Sequence, residues 1–169
     1  MNSQHALLAE IAPGSIQHLS FRVRKERFAL PIELIREIIE YGQITTVPMM
    51  PSFIHGVINL RGNVVPVLDL AARFGLELTE PGKRTCIVII ELPLDDQVQR
   101  IGLVVDAVDA VLDIDADEVE PAPPFGAGLR TDFISGMARD DRGFTIILDV
   151  RRVLSLDDIR QLSLAQQAG

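Results

Sequence analysis

A stretch of 22 residues occurs twice in this chain, 80 positions apart and without a gap. Phe53-Ile54-His55-Gly56, through Val67-Leu68-Asp69-Leu70 and on to Phe74, aligns with Phe133-Ile134-Ser135-Gly136, through Ile147-Leu148-Asp149-Val150 and on to Leu154. Phe, Ile, Gly, Leu and Asp recur at matching places, and most other apolar positions stay apolar. A second echo lies upstream with an offset of 73: Arg27-Phe28-Ala29-Leu30-Pro31-Ile32 against Arg100-Ile101-Gly102-Leu103-Val104-Val105. A longer connection around Pro121-Ala122-Pro123-Pro124 accounts for the difference between the two offsets. A chain that repeats its own plan in this way is expected to be two similar β units packed side by side. Their seam and outer faces are then the places to look for function.

The pattern of short apolar runs between turn residues supports that plan. Ile16–Val23 alternates in part and reads as a strand, with Phe28-Ala29-Leu30 as its hairpin partner across Arg24-Lys25-Glu26. Pro31–Leu34 suits a short helical turn, and the isoleucine density after it suits a strand over Ile35–Tyr41. Each copy of the repeat reads as strand, tight turn, strand and short helix: Gly56–Leu60, Arg61-Gly62-Asn63, Val64–Leu68 and Leu70–Phe74 in the first. The second gives Phe133–Ala138, Asp140-Asp141-Arg142-Gly143, Phe144–Leu148 and a helix from Asp149. Asp69 is placed to cap the first helix. Between the copies lie strands at Thr85–Glu91, Ile101–Val105 and Val108–Leu112, a polar loop at Asp95-Asp96-Gln97, and a helical turn within Ile114–Val119 with Asp113 as cap. Each half therefore offers about five short strands, enough for a small barrel.

Bulk properties exclude more than they identify. With 47% hydrophobic residues in 169, the chain can build a core. Its net charge of −8 argues against a nucleic-acid partner. The single cysteine, Cys86, rules out an intramolecular disulfide and fits a reducing compartment. The start carries no secretion-signal pattern, and no apolar run is long enough to span a bilayer, so a cytoplasmic protein is expected.

Chemistry motifs fail on inspection. Gly82-Lys83-Arg84-Thr85 resembles the end of a phosphate loop, but Glu77 stands where its first glycine belongs. Asp113-Ile114-Asp115-Ala116-Asp117 has calcium-loop alternation, yet Glu118 and Pro124 occupy the positions that require Gly and Glu. His5, His18 and His55 are scattered, with His55 read as a strand-entry residue. Cys86, inside the most apolar strand, reads as a buried structural thiol. Neither a catalytic group nor a cofactor or metal site is expected.

A few residues are oddly placed for a plain core. Arg61 sits at the tip of a tight hairpin, where its five donors suit carboxylates or carbonyls of a partner, or equally an internal salt bridge. Glu37 interrupts an apolar strand, either as a recognition residue or as the outward half of an alternation. Met49-Met50, between prolines, is either core filler or adaptable contact surface.

Taken together, Phe53-Ile54-His55-Gly56-Val57-Ile58-Asn59-Leu60-Arg61-Gly62-Asn63-Val64-Val65-Pro66-Val67-Leu68-Asp69-Leu70 resembles the signature hairpin of the CheW family. Gly102–Val108, the Pro121–Phe125 loop and the terminal Phe133–Val150 block agree, so the resemblance runs from about Ile16 to Leu156. It implies a mainly β fold of two five-stranded SH3-like barrels with short helices, enclosing an apolar core. The organisation expected is a tail over 1–14, a CheW-like domain over 15–156, and a tail over 157–169. Subdomains of roughly 15–80 and 81–156 are expected, with exchange of strands between them left open.

The implied activity is non-enzymatic: an adaptor bridging chemoreceptor cytoplasmic tips to the regulatory domain of a CheA-type histidine kinase, without nucleic acid or membrane insertion. Ile35, Glu37, Asn59, Arg61 and Gly62 are the partner-binding residues carried over by position. Pro31 departs from the family, which usually has a polar residue there. The pathway stays open between flagellar chemotaxis, type IV pilus motility and surface sensing through a diguanylate cyclase. The competing reading is a small-ligand-binding β-barrel or enzyme, which would show a deep polar cavity between the halves.

Overall fold

The computed structural model describes residues 15–94, 97–121, 133–140 and 143–154. The expected tails over 1–14 and 157–169, Asp95 and Asp96 of the polar loop, the proline loop beyond Pro121, and Asp141 and Arg142 of the second turn lie outside these.

Described strands are β1 (Ser15–Val23), β2 (Glu26–Pro31), β3 (Ile35–Glu40), β4 (Ile54–Leu60), β5 (Asn63–Asp69), β6 (Cys86–Leu94), β7 (Gln97–Val105), β8 (Ala107–Asp115), β9 (Val119–Glu120), β10 (Ile134–Asp140) and β11 (Gly143–Leu148). Single helical turns at Leu70–Arg73 and Val150–Val153 follow the two repeat hairpins, and 3-10 turns lie at Ile32–Leu34 and Ala116–Glu118. Two local expectations need correction, and one described strand was not expected. The first repeat turn is Arg61-Gly62 alone, because Asn63 already pairs with Leu60. The turn after β8 is capped by Asp115, which accepts from the Asp117 amide, and not by Asp113. Ile114 is the reason: its side chain is buried, so the strand continues through it. Finally, β9 has too little apolar pattern to be read from two residues.

The strands form a six-stranded sheet in the order β8-β1-β2-β11-β10-β9 and a five-stranded sheet in the order β3-β6-β7-β5-β4. Sheet membership does not follow the halves of the sequence. The first repeat hairpin, β4-β5, pairs in parallel with β7 from downstream, and the second, β10-β11, pairs in parallel with β2 from upstream. The registers correspond: Val67 opposes Gly102 in one sheet, and Ile147 opposes Ala29 in the other. Those are the repeat's equivalent residues, offset by 80 and 73. A pseudo-two-fold therefore relates the sheets, each built on an echo strand donated by the other half.

The correspondence extends to detail. Both hairpins carry a bulge before their glycine, at Ile54/Gly56 and Ile134/Gly136. Gly56 lies so close to the crossing chain that a Cβ would stand 2.2 Å from the Thr45 carbonyl oxygen, and one on Gly136 would stand 2.4 Å from a Val119 methyl. The glycines are there because another segment passes over them. Near the axis, the Arg73 guanidinium lies 4.6 Å from the Phe53 ring centroid and 5.1 Å from that of Phe133. Its Nε donates to the Val153 carbonyl at 2.7 Å. Phe133 and Val153 are the repeat counterparts of Phe53 and of Arg73 itself.

Among the described residues, three apolar clusters fill the fold. The largest lies between the sheets and takes Leu30, Leu68, Val88, Leu103, Phe133 and Leu148 among others. Each sheet also curls over a smaller interior: Ile58, Val65, Val67, Ile87, Ile89 and Val104 in the five-stranded one, Ala29, Ile114, Ala138 and Ile147 in the other. Burial on both faces explains why β6 and β7 read as nearly continuous apolar runs.

Candidate partner-binding site

The β4-β5 hairpin turns on two residues with positive φ, Arg61 at 52° and Gly62 at 87°. That is the mirror-image turn that matches strand twist, and glycine suits its second position. Asn59 fixes it further: its side-chain oxygen accepts from the Gly62 amide at 2.9 Å. The turn thus carries the Arg61 side chain clear of the sheet, 66% exposed.

The guanidinium nevertheless has an internal partner. Its two terminal nitrogens donate to the two carboxylate oxygens of Glu37, one at 3.2 Å and the other in a short contact. This hydrogen-bonded Arg61 holds the Glu37 carboxyl below its ordinary range, and the carboxylate in turn raises the Arg61 pKa. Glu37 lies on the less exposed face of β3, with Ile39, rather than on the outward face with Arg36 and Ile38. β3 and β4 end the five-stranded sheet at opposite edges; the chain after β3 reaches β4 through the Thr45–Val57 backbone bridge, and the Glu37–Arg61 ion pair adds a side-chain tie across the same gap. Asn59, Arg61, Gly62 and Glu37 thus form one cluster. Ile35 does not join it: the register shifts between Ile35 and Glu37, and Ile35 packs on the core between the sheets.

Beneath the hairpin lies a group that sequence reasoning missed. Asp69 is fully buried. Its carboxylate accepts from the Thr79 amide (2.9 Å), the Thr79 hydroxyl (3.0 Å) and the Ala72 amide (3.2 Å). His55 Nδ1 lies 3.6 Å from it, and Nε2 lies 2.9 Å from the Tyr41 hydroxyl. The carboxylate favours the tautomer protonated at Nδ1, so Nε2 accepts from Tyr41. Burial works against ionisation of Asp69, but His55, the Thr79 and Ala72 amides and the Thr79 hydroxyl together hold its pKa below the usual carboxylate range. Burial, aided by the Asp69 charge, pushes the Tyr41 phenol up. The helix-cap role of Asp69 was legible locally; Tyr41, His55 and Thr79 lie 28, 14 and 10 positions away and only the fold brings them together.

On the six-stranded side, a groove of about 520 Å³ opens beside Ile16, His18, Leu34, Ser135, Asp149 and Val150. Its lining is mainly apolar. Cys86 is the first residue of β6, only half-buried, and desolvation pushes its thiol up. Met49 is fully exposed with a φ of 63°, whereas Met50 packs on the central core. Among the described residues no group of three or more His, Cys, Asp or Glu could hold a metal ion, and no helix is long and apolar enough to cross a membrane.

Two β units around a shared apolar core, with an ion-paired hairpin tip on the outside, define a duplicated β-barrel protein. Comparison with known proteins gives the family. The CheW-like domain model matches residues 17–158. The chain is 31% identical over 144 residues to the chemotaxis protein CheW of Klebsiella aerogenes, covering 85% of this chain and 84% of that protein. It is 32% identical over 144 residues to a probable chemotaxis protein CheW of Rhizobium etli, covering 84% and 89%. The crystal structure of the scaffolding protein TtCheW from Thermoanaerobacter tengcongensis superposes with a TM-score of 0.76 at 34% identity, covering 88% of this chain and 94% of that one. The chain belongs to the CheW-like family.

Proposed function

We propose that this chain is a cytoplasmic, non-enzymatic adaptor that couples chemoreceptors to a CheA-type histidine kinase. Its mechanism is presentation. Two barrels joined by one core hold the receptor tip and the kinase regulatory domain in a fixed relation, so that receptor state biases kinase activity. Apolar patches supply affinity and a few polar groups supply register. The observation that carries the reading is the signature hairpin itself, with Arg61 exposed at its tip and braced on Glu37. A partner carboxylate or carbonyl that engages Arg61 must compete with Glu37. The site is therefore a contact whose strength the adaptor's own ion pair sets.

The test is a reconstituted receptor–kinase assay with Arg61→Glu. Receptor-dependent kinase stimulation is expected to fall at least several-fold, while the thermal unfolding midpoint stays within a few degrees, because the side chain is exposed. Undiminished stimulation would remove Arg61 from the mechanism. Loss of folding would show that its role is structural.

A further inference from the structure

The pseudo-two-fold allows the two copies to be compared place by place, and at one place they differ in what fills them. In the first copy the Asp69 carboxylate is fully buried, held by the Thr79 amide and hydroxyl with His55 beside it; His55 in turn meets Tyr41, and Ile44 presses on Gly56. The counterparts of Tyr41, His55 and Asp69 are Ile114, Ser135 and Asp149, and Val119 presses on Gly136 as Ile44 does on Gly56; all four line the groove on the six-stranded side, while the counterpart of Thr79, Ile159, lies outside the described residues. The backbone is equivalent: the Asp149 amide donates to the Phe133 carbonyl at 2.9 Å, as the Asp69 amide does to Phe53 at 2.8 Å. Both carboxylates also cap the helical turn that follows. The side chains are not equivalent. Tyrosine has become isoleucine and histidine has become serine. Asp149, accepting from the Arg151 amide and lying 3.5 Å from Arg152 Nε, is left 34% exposed at the groove's edge.

We propose that this groove is a docking pocket for an aromatic side chain carrying a hydrogen-bond donor, presented by a partner polypeptide. That side chain occupies the place of Tyr41 and His55 and turns its donor toward Asp149. The first copy is the template for the occupant: the same backbone there accommodates two rings and an N–H directed at the carboxylate. The apolar wall formed by Ile16, Leu34, Ile114, Val119 and Val150 takes the ring. The carboxylate, on a chain of net charge −8, favours a donor over an acceptor. The proposal rests on the adaptor reading only in that the side chain comes from a partner protein.

The probes are p-cresol and 4-methylimidazole, which reproduce the two missing side chains, with 4-methylanisole as the ring without a donor. Titrated into the full-length ¹⁵N-labelled protein, the first two are expected to shift the amides of Ser135, Val150 and Arg151 and to leave His55 and Leu70 in place. The anisole should bind several-fold more weakly. A Ser135→His, Ile114→Tyr double variant, which fills the groove from within, should weaken p-cresol binding by about tenfold. If it does not fold, Ser135→His alone, at an exposed strand position, should still weaken it. Absence of shifts, equal binding of the anisole, or undiminished binding to Ser135→His would overturn the proposal. So would nuclear Overhauser contacts from residues 155–169 to Val150, which would show the groove filled by the chain itself. Capture of the kinase regulatory domain by the wild-type chain is measured separately. If capture succeeds and the probes fail, only the groove is refuted; if capture fails, the adaptor reading is.

Discussion

Asp69 and Asp149 are one residue of the repeat in two different environments, and their energetics should differ accordingly. Replacing Asp69 by Ala strands the buried Thr79 amide and hydroxyl and the partly buried Ala72 amide, and should cost about 2–4 kcal/mol, a lost cap plus unsatisfied donors. Asp149→Ala loses the cap at a partly exposed site and should cost only about 1 kcal/mol; urea denaturation of the two variants measures the difference. The pH dependence follows from the same contrast. The Asp69 pKa lies lower in the folded protein than the ordinary 3.8. Its contribution to stability is therefore present above that value and is lost as pH falls through the lower, folded value. Acid unfolding of Asp69→Asn should be correspondingly less steep below about pH 4 than that of the wild type. At the hairpin tip, a Glu37→Arg, Arg61→Glu exchange separates two roles. If the ion pair only ties the two edges of the sheet, the exchange restores coupling in the kinase assay; if Arg61 itself meets the partner, it does not.

At the scale of elements, the same residue type does different work in neighbouring turns. Gly62 has positive φ with open space around it, so Gly62→Ala should cost about 1 kcal/mol in backbone strain alone. Gly56 is pressed against the Thr45 backbone, which cannot yield like a flexible side chain, so Gly56→Ala should cost about 3 kcal/mol or more. The ratio of the two, read from thermal melts, checks the crossing geometry. The elements themselves were largely legible. Hairpins β1-β2, β4-β5 and β10-β11, the turn at Ile32–Leu34 and the Asp69 cap announce themselves through local alternation, glycines and capping residues. What misled was equally local. Arg61-Gly62-Asn63 offers three turn-forming residues where the ladder needs two, and Asp113 and Asp115 are alternative caps that only the burial of Ile114 decides.

For the whole molecule, the repeat announced two units but not how they share strands. Val67 meets Gly102 and Ile147 meets Ala29 across parallel pairings 35 and 118 residues apart, and nothing in the composition of either strand names its partner. The candidate site divided in the same way: Asn59, Arg61 and Gly62 share one turn and read as a unit, whereas their tie to Glu37 depends on which strands end the sheet. Strand exchange makes a prediction of its own. Fragments 1–80 and 81–169 should each lack cooperative unfolding, because each sheet takes strands from both, and should recover it when mixed. Circular dichroism of the separate and combined fragments tests this.

The interleaving also has a mechanical consequence. The chain passes between the sheets twice within the described residues, once through the turn at Ile32–Leu34 and once at Asp106, so two covalent struts join the barrels instead of one linker. A single strut permits twisting about itself; a second adds a constraint against it, and the Arg73 side chain between the Phe53 and Phe133 rings adds a contact between the two copies. A torque applied to one barrel is therefore delivered to the other with little loss in between.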